Sequence, residues 1–134
     1  MTLSPFAAAS YIAAALLALI SVAAAALTSH GLINIAPTGA QALEWFKIAT
    51  GFQITHALGI VLVTIIGEQL APGGARSVLR VGVVLLGLGA LLFPTALYSL
   101  SFYGPAFFAP WGGFAAMGGW IAFAVGAAMA VKRN

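Results

Sequence analysis

The sequence predicts an all-α membrane protein. It reads as a single integral membrane domain over residues 1–134, with four transmembrane helices in a compact antiparallel bundle and both termini on the cytoplasmic side. Three observations lead there. Only 5% of the residues are charged, against about 25% in an ordinary soluble domain, so a water-facing surface of this size has too few charges to cover it. The apolar residues make up 63% of the chain and fall in long runs, not in amphipathic stripes. Most of the five Lys and Arg then lie on one side of the topology those runs imply.

A helix needs about 20 apolar residues to cross the hydrocarbon core. Four segments are long enough, spanning about 6–28, 42–68, 78–100 and 110–131. The first could be mistaken for a signal peptide, since "AAAALTS" resembles a small-residue cleavage site. Its flank has no Lys or Arg and its apolar run exceeds a signal core, so it reads as a retained helix. "SHGL" ends it, with Gly31 after His30 marking a C-cap at the outer interface. The connection that follows contains Thr38-Gly39-Ala40-Gln41, the spacing of a capping box, which starts the second helix near Gly39. Glu44 and Lys47 then sit in the headgroup layer, three residues apart and able to pair. "APGGARS" separates the second and third spans, and Glu68 lies near Arg76 and Arg80 there, an interfacial ion pair. "YGPAFFAP" separates the third and fourth, its prolines ending one helix and opening the next.

Orientation follows from the cations. Arg76 and Arg80 flank the second connection and Lys132 and Arg133 close the chain, whereas the opposite side holds only Lys47. This places both termini inside. Trp45, Tyr98, Tyr103 and Trp111 then fall near the outer interface, where aromatic belts form.

Lipid tails are as apolar as leucine, so close packing through small residues must join the helices. The fourth span supplies a stripe of Gly112, Ala116, Gly119, Ala122 and Gly126. The third carries Gly82, Gly87 and Gly89, and the first is largely alanine. Such faces suit internal seams and also contact with other integral membrane chains or with a second copy. Membrane lipid is the remaining expected partner. The basic balance rests on five cations without interleaved aromatics and does not point to nucleic acid.

The second span raises the functional question. His56 lies near the bilayer centre, the most expensive depth for a polar group, and Gln53 sits one turn outward on the same face. Polar groups at that depth need internal partners. Pro94, expected to kink the third helix, frees the carbonyl of Ala90. Trp120 lies midway along the fourth span and Ser21 lies level with Gln53 on the first. The sequence therefore predicts a buried polar cluster of His56, Gln53, Ser21, the Ala90 carbonyl and Trp120. It either fixes helix register or handles a proton or ligand. His30 is the outer-interface candidate, with Glu44 and Lys47. It lies about 15 Å from the depth of His56, so the two histidines do not share one iron within a chain.

"SHGL", "FQITHAL", "GALLFPTALYSL" and "PWGGFAAMGGW" occur in that order, and together they resemble the Domain of Unknown Function 423 family, bacterial and mitochondrial proteins similar to transmembrane protein 256. The resemblance covers about residues 10 to 130, with His30, Gln53, His56, Tyr98, Gly112, Gly113 and Trp120 on the pattern. Pro94 departs from it, standing where the family usually reads Phe-Ser-Gly-Ser-Leu-Tyr. The resemblance implies a small four-span membrane protein without an agreed activity.

With no cysteine, disulfides and thiolate metal sites are excluded, and both carboxylates lie at span ends. No enzyme, metal or cofactor is therefore expected. The leading expectation is a non-catalytic accessory, assembly or stabilising subunit of a larger membrane complex, respiratory or photosynthetic, in a bacterial inner (cell) membrane. The alternative is a small oligomeric transporter or channel using the His56 and Gln53 layer.

Overall fold

The computed structural model describes residues 2–131; Lys132 and Arg133, on which half of the orientation argument rests, lie outside them. Among the described residues helices are the only regular elements: α1 (Pro5–Ser29), α2 (Leu32–Ile35), α3 (Ala40–Gln69), α4 (Gly74–Leu100) and α5 (Ala109–Ala130). The four long helices are each long and apolar enough to cross a membrane.

Local chemistry sets most of the boundaries. Ser4 caps α1, its Oγ accepting from the Ala7 N–H at 3.1 Å, and Pro5 opens the helix where a missing N–H costs nothing. His30 ends α1, and Gly31 takes φ +120° at the start of α2, a turn of helix the sequence reading did not anticipate. The expected capping box fails. Gly39 is the N-cap of α3, and the Thr38 hydroxyl donates instead to the Ser101 carbonyl at 2.9 Å. Ser101 is fully buried, so its carbonyl needs a donor more than the exposed start of α3 does. α4 begins four residues before the expected 78, inside "APGGARS", with Gly73 as its N-cap.

The helices pack in the order α1, α3, α4, α5. α1 meets α4 at only a few points, and α1 and α5 share no extended contact among the described residues. The arrangement is thus an open row, where the sequence reading expected a compact bundle. α3 and α4 are the more buried helices, while α1 and α5 turn large apolar side chains such as Leu19, Val22, Phe114 and Ile121 outward. A main core of Leu17, Ala57, Ile60, Val63, Leu86 and Ala90 joins α1, α3 and α4.

The two ends differ. At the loop end, Leu32, Ala36, Ala42 and Phe46 form a second small core beneath the first connection. The Tyr103 hydroxyl donates to the Pro37 carbonyl at 3.1 Å, tying the first and third connections together. At the arginine end, Glu68 receives Arg76 at 2.6 Å and Arg80 at 2.9 Å, clamping α3 to α4.

The tightest seam lies between α4 and α5. A Cβ on Gly89 would stand 2.7 Å from the Ala116 Cβ, and one on Gly119 2.7 Å from Leu86 Cγ. Gly112 backs directly onto the Phe93 backbone, and Gly126 sits against Leu79. The stripe of Gly112, Ala116, Gly119 and Gly126 is buried here against its own α4. Ala122 is only partly buried, opposite Gly82.

Candidate functional site

His56 lies near the middle of α3 and is buried. Its Nδ1 is 2.7 Å from the Phe52 carbonyl one turn back, and its Nε2 is 3.2 Å from Trp120 Nε1 on α5. An indole nitrogen only donates, so Nε2 must offer its lone pair and Nδ1 must carry the hydrogen. The geometry therefore selects one tautomer of the ring. The Phe52 ring stacks on it at 4.0 Å and rests in turn on Phe93 of α4 at 4.5 Å. Gly59 makes room for the indole: a Cβ there would stand 3.0 Å from the Trp120 ring.

Gln53, one turn toward the loop end, is 1% exposed and uses both ends of its amide. Nε2 donates to the Ala90 carbonyl at 3.3 Å, and Oε1 accepts from the Tyr98 hydroxyl at 3.0 Å. Pro94 has no N–H to offer that carbonyl, and α4 continues as helix on both sides of it. Tyr98 also packs on Phe46 with ring centroids 4.7 Å apart. It was expected in the interfacial belt, and the sequence reading missed its place here. The signal was available. A buried glutamine presents an acceptor as well as a donor, and Tyr98 carries a hydroxyl about two turns beyond Ala90 on α4.

Ser21 is buried but does not join these groups. Its hydroxyl donates to the Thr50 carbonyl of α3 at 3.0 Å. The two amide ends of Gln53 are engaged by α4, while the Thr50 carbonyl offers a second lone pair toward α1. The expected single cluster is therefore two relays, Trp120–His56–Phe52 and Tyr98–Gln53–Ala90, with Ser21 bonded separately. His30 is exposed at the end of α1, and Glu44 pairs with Lys47 at 3.1 Å in the open. None of these three hydrogen-bonds to either relay.

Both histidine nitrogens are engaged by groups of the same chain while Trp120 stays in place. Interhelical bonds of this kind contribute about 0.6 kcal/mol each in membranes, up to about 1.7. Together they tie the middles of α3, α4 and α5 in one register.

These features define a small multi-pass helical membrane protein with a buried polar layer. The chain belongs to the family described as Protein of unknown function (DUF423), whose model matches residues 23–119. The match is shorter than the 10 to 130 over which the resemblance was read. It takes in His30, Gln53, His56, Tyr98 and Pro94 but leaves out Ser21, Trp120, Ala122 and Gly126. No curated protein and no solved structure matches the chain.

Proposed function

We propose that the chain is a non-catalytic accessory or stabilising subunit of a larger membrane complex, in a bacterial inner membrane. Its helices run antiparallel, with the arginine end and both termini on the cytoplasmic side. The sequence of contacts supports the antiparallel course: Gly67 meets Leu79, Gly59 meets Leu86, and Gln53 meets Ala90. Arg76 and Arg80 at one end support the orientation.

The observation that carries the functional reading is the closure of the polar layer. His56 and Gln53 meet partners of their own chain at every ring nitrogen and at both ends of the amide. A proton path or substrate site needs at least one such group turned toward a cavity. The grooves that border α1 are instead lined by other residues. What remains for function is the outer surface, where α1 and α5 each leave one long apolar flank without a neighbour among the described residues. A partner chain of similar apolar character fits those flanks.

The test is extraction in mild detergent followed by native electrophoresis. Comigration with a larger complex, lost when bulky residues replace exposed Ala15 and Ala23 of α1, is the expected result. A protein found only as a free monomer would overturn this reading, and liposomes whose ion flux disappears with His56→Ala would move the assignment to the transporter class.

A further inference from the structure

Along the flank where α1 and α4 barely touch runs an apolar cleft floored by α3. Two cavities of about 230 and 430 Å³ lie end to end in it, sharing Ala13, Val84 and Gly87. The first begins at Phe6 and the second reaches Ile20. At 1.5 Å per residue that is about 21 Å, longer than the roughly 15 Å of one leaflet's hydrocarbon. At the Phe6 end stands Arg80, its guanidinium 4.8 Å above the Phe6 ring.

That guanidinium is only partly used. Glu68 accepts from its Nη2, and Nε has no partner. Two arginines on one carboxylate leave the cluster with a net positive charge, and the Arg80 side chain is 39% exposed. We infer that this cleft is a binding site for an anionic phospholipid, with the phosphate on Arg80 and one acyl chain laid between α1 and α4. A transmembrane helix is a poorer occupant. It is at least 10 Å across and would take roughly 1,600 Å³ over that length, so it would rest on the rim. The cleft is narrow and apolar along its length and cationic at the end where headgroups lie, which is the chemistry of a charged lipid. The inference is independent of the accessory role.

The experiment uses the full chain in nanodiscs of phosphatidylcholine doped with phosphatidylglycerol, with native mass spectrometry reading the lipid each chain retains. Retention of one phosphatidylglycerol per chain, preferred about tenfold over phosphatidylcholine, is expected for a charge-assisted phosphate contact. Arg80→Gln should bring that preference close to one. Gly87→Leu should expel both lipids, because it fills the cleft from a position where a Cβ meets only Ile60 at 3.9 Å and leaves the fold intact. Equal retention of the two lipids by the unaltered protein overturns the inference. So does a preference that survives Arg80→Gln, or lipid that survives Gly87→Leu. A dimer that Gly87→Leu dissolves would assign the cleft to a second copy instead.

Discussion

Helix α4 carries glycines toward two neighbours, and the two sides of the helix end differently. Gly82 and Gly89 face α5, where a Cβ on Gly89 would overlap Ala116 and one on Gly82 would stand a tight 3.1 Å from the Gly119 carbonyl oxygen. Gly87 faces the α1 side, where a Cβ would find ordinary room and the helices stand apart around a cleft. The residue type is the same; the opposing residue is not. Gly89 meets Ala116 and Gly82 meets Gly119, whereas the α1 wall beside Gly87 is built from Leu16, Leu17 and Ile20. In lipid a small residue permits close approach but does not compel it, since no water is expelled by closing the gap. Two small residues must coincide. The polar bonds follow the same division: α4 and α5 are each bonded to α3, α1 bonds to α3 through Ser21, and among the described residues no hydrogen bond joins α1 to α4.

The sharpest test sets the two sides against each other. Gly89→Leu should destabilise the fold by about 3 kcal/mol or more, since side chain and backbone of Ala116 both stand in the way. Gly87→Leu should change stability by less than about 0.5 kcal/mol. Reversible unfolding in bicelles measures both. Equal losses would mean that the cleft is as closed as the seam.

The next effect concerns the polar lock on the closed side. Gln53→Met keeps the volume but strands the Tyr98 hydroxyl and the Ala90 carbonyl, a loss of about 1 to 2 kcal/mol. Combined with Tyr98→Phe, the double change should cost less than the two single losses added, because they remove the same bond. Strict additivity would mean that the hydroxyl and the amide do not meet.

Much of this was legible because the bilayer forces it. Four spans, the buried face of His56 and the packing stripe of α5 all follow from hydrocarbon thickness and helical period. The freed carbonyl of Ala90 followed from Pro94 alone. What the sequence did not reveal is which groups pair. Ser21 stood at the right depth but its helix leans on α3 near Thr50, and depth says nothing about which neighbour lies within 3 Å. Tyr98 was assigned to the interface because aromatic belts form there, yet its ring fills the small loop-end core and its hydroxyl turns inward. Thr38 had the spacing of a cap, and a buried carbonyl across the connection took its hydroxyl instead. The missing closure between α1 and α5 has no local sign at all.

A smaller effect separates His56 from its surroundings. Trp120→Phe keeps an aromatic ring over Gly59 but removes the indole donor to Nε2, costing about 0.6 kcal/mol. The spectroscopic consequence is larger than the energetic one. With histidine labelled in nitrogen-15, the unaltered protein should show one buried ring with hydrogen on Nδ1 and a bare Nε2 that accepts from the indole. In Trp120→Phe the Nε2 resonance should move, because that nitrogen has lost the indole donor. A ring with hydrogen on Nε2 in the unaltered protein would mean that the indole does not hold it, and the polar layer would be open after all.

The smallest expected effect comes from a polar pair that joins no helices. Glu44 and Lys47 lie three residues apart on α3, their side chains 62% and 65% exposed. Glu44→Gln should shift stability by less than about 0.5 kcal/mol, and salt should screen even that. Glu68 makes a bond of the same length class, but to two arginines of α4 at 21% exposure, so Glu68→Gln unfastens one helix from another. If the two substitutions cost the same, the arginine-end clamp contributes no more than a surface pair. The closed side of α4 would then rest on glycine packing and the mid-span bonds alone.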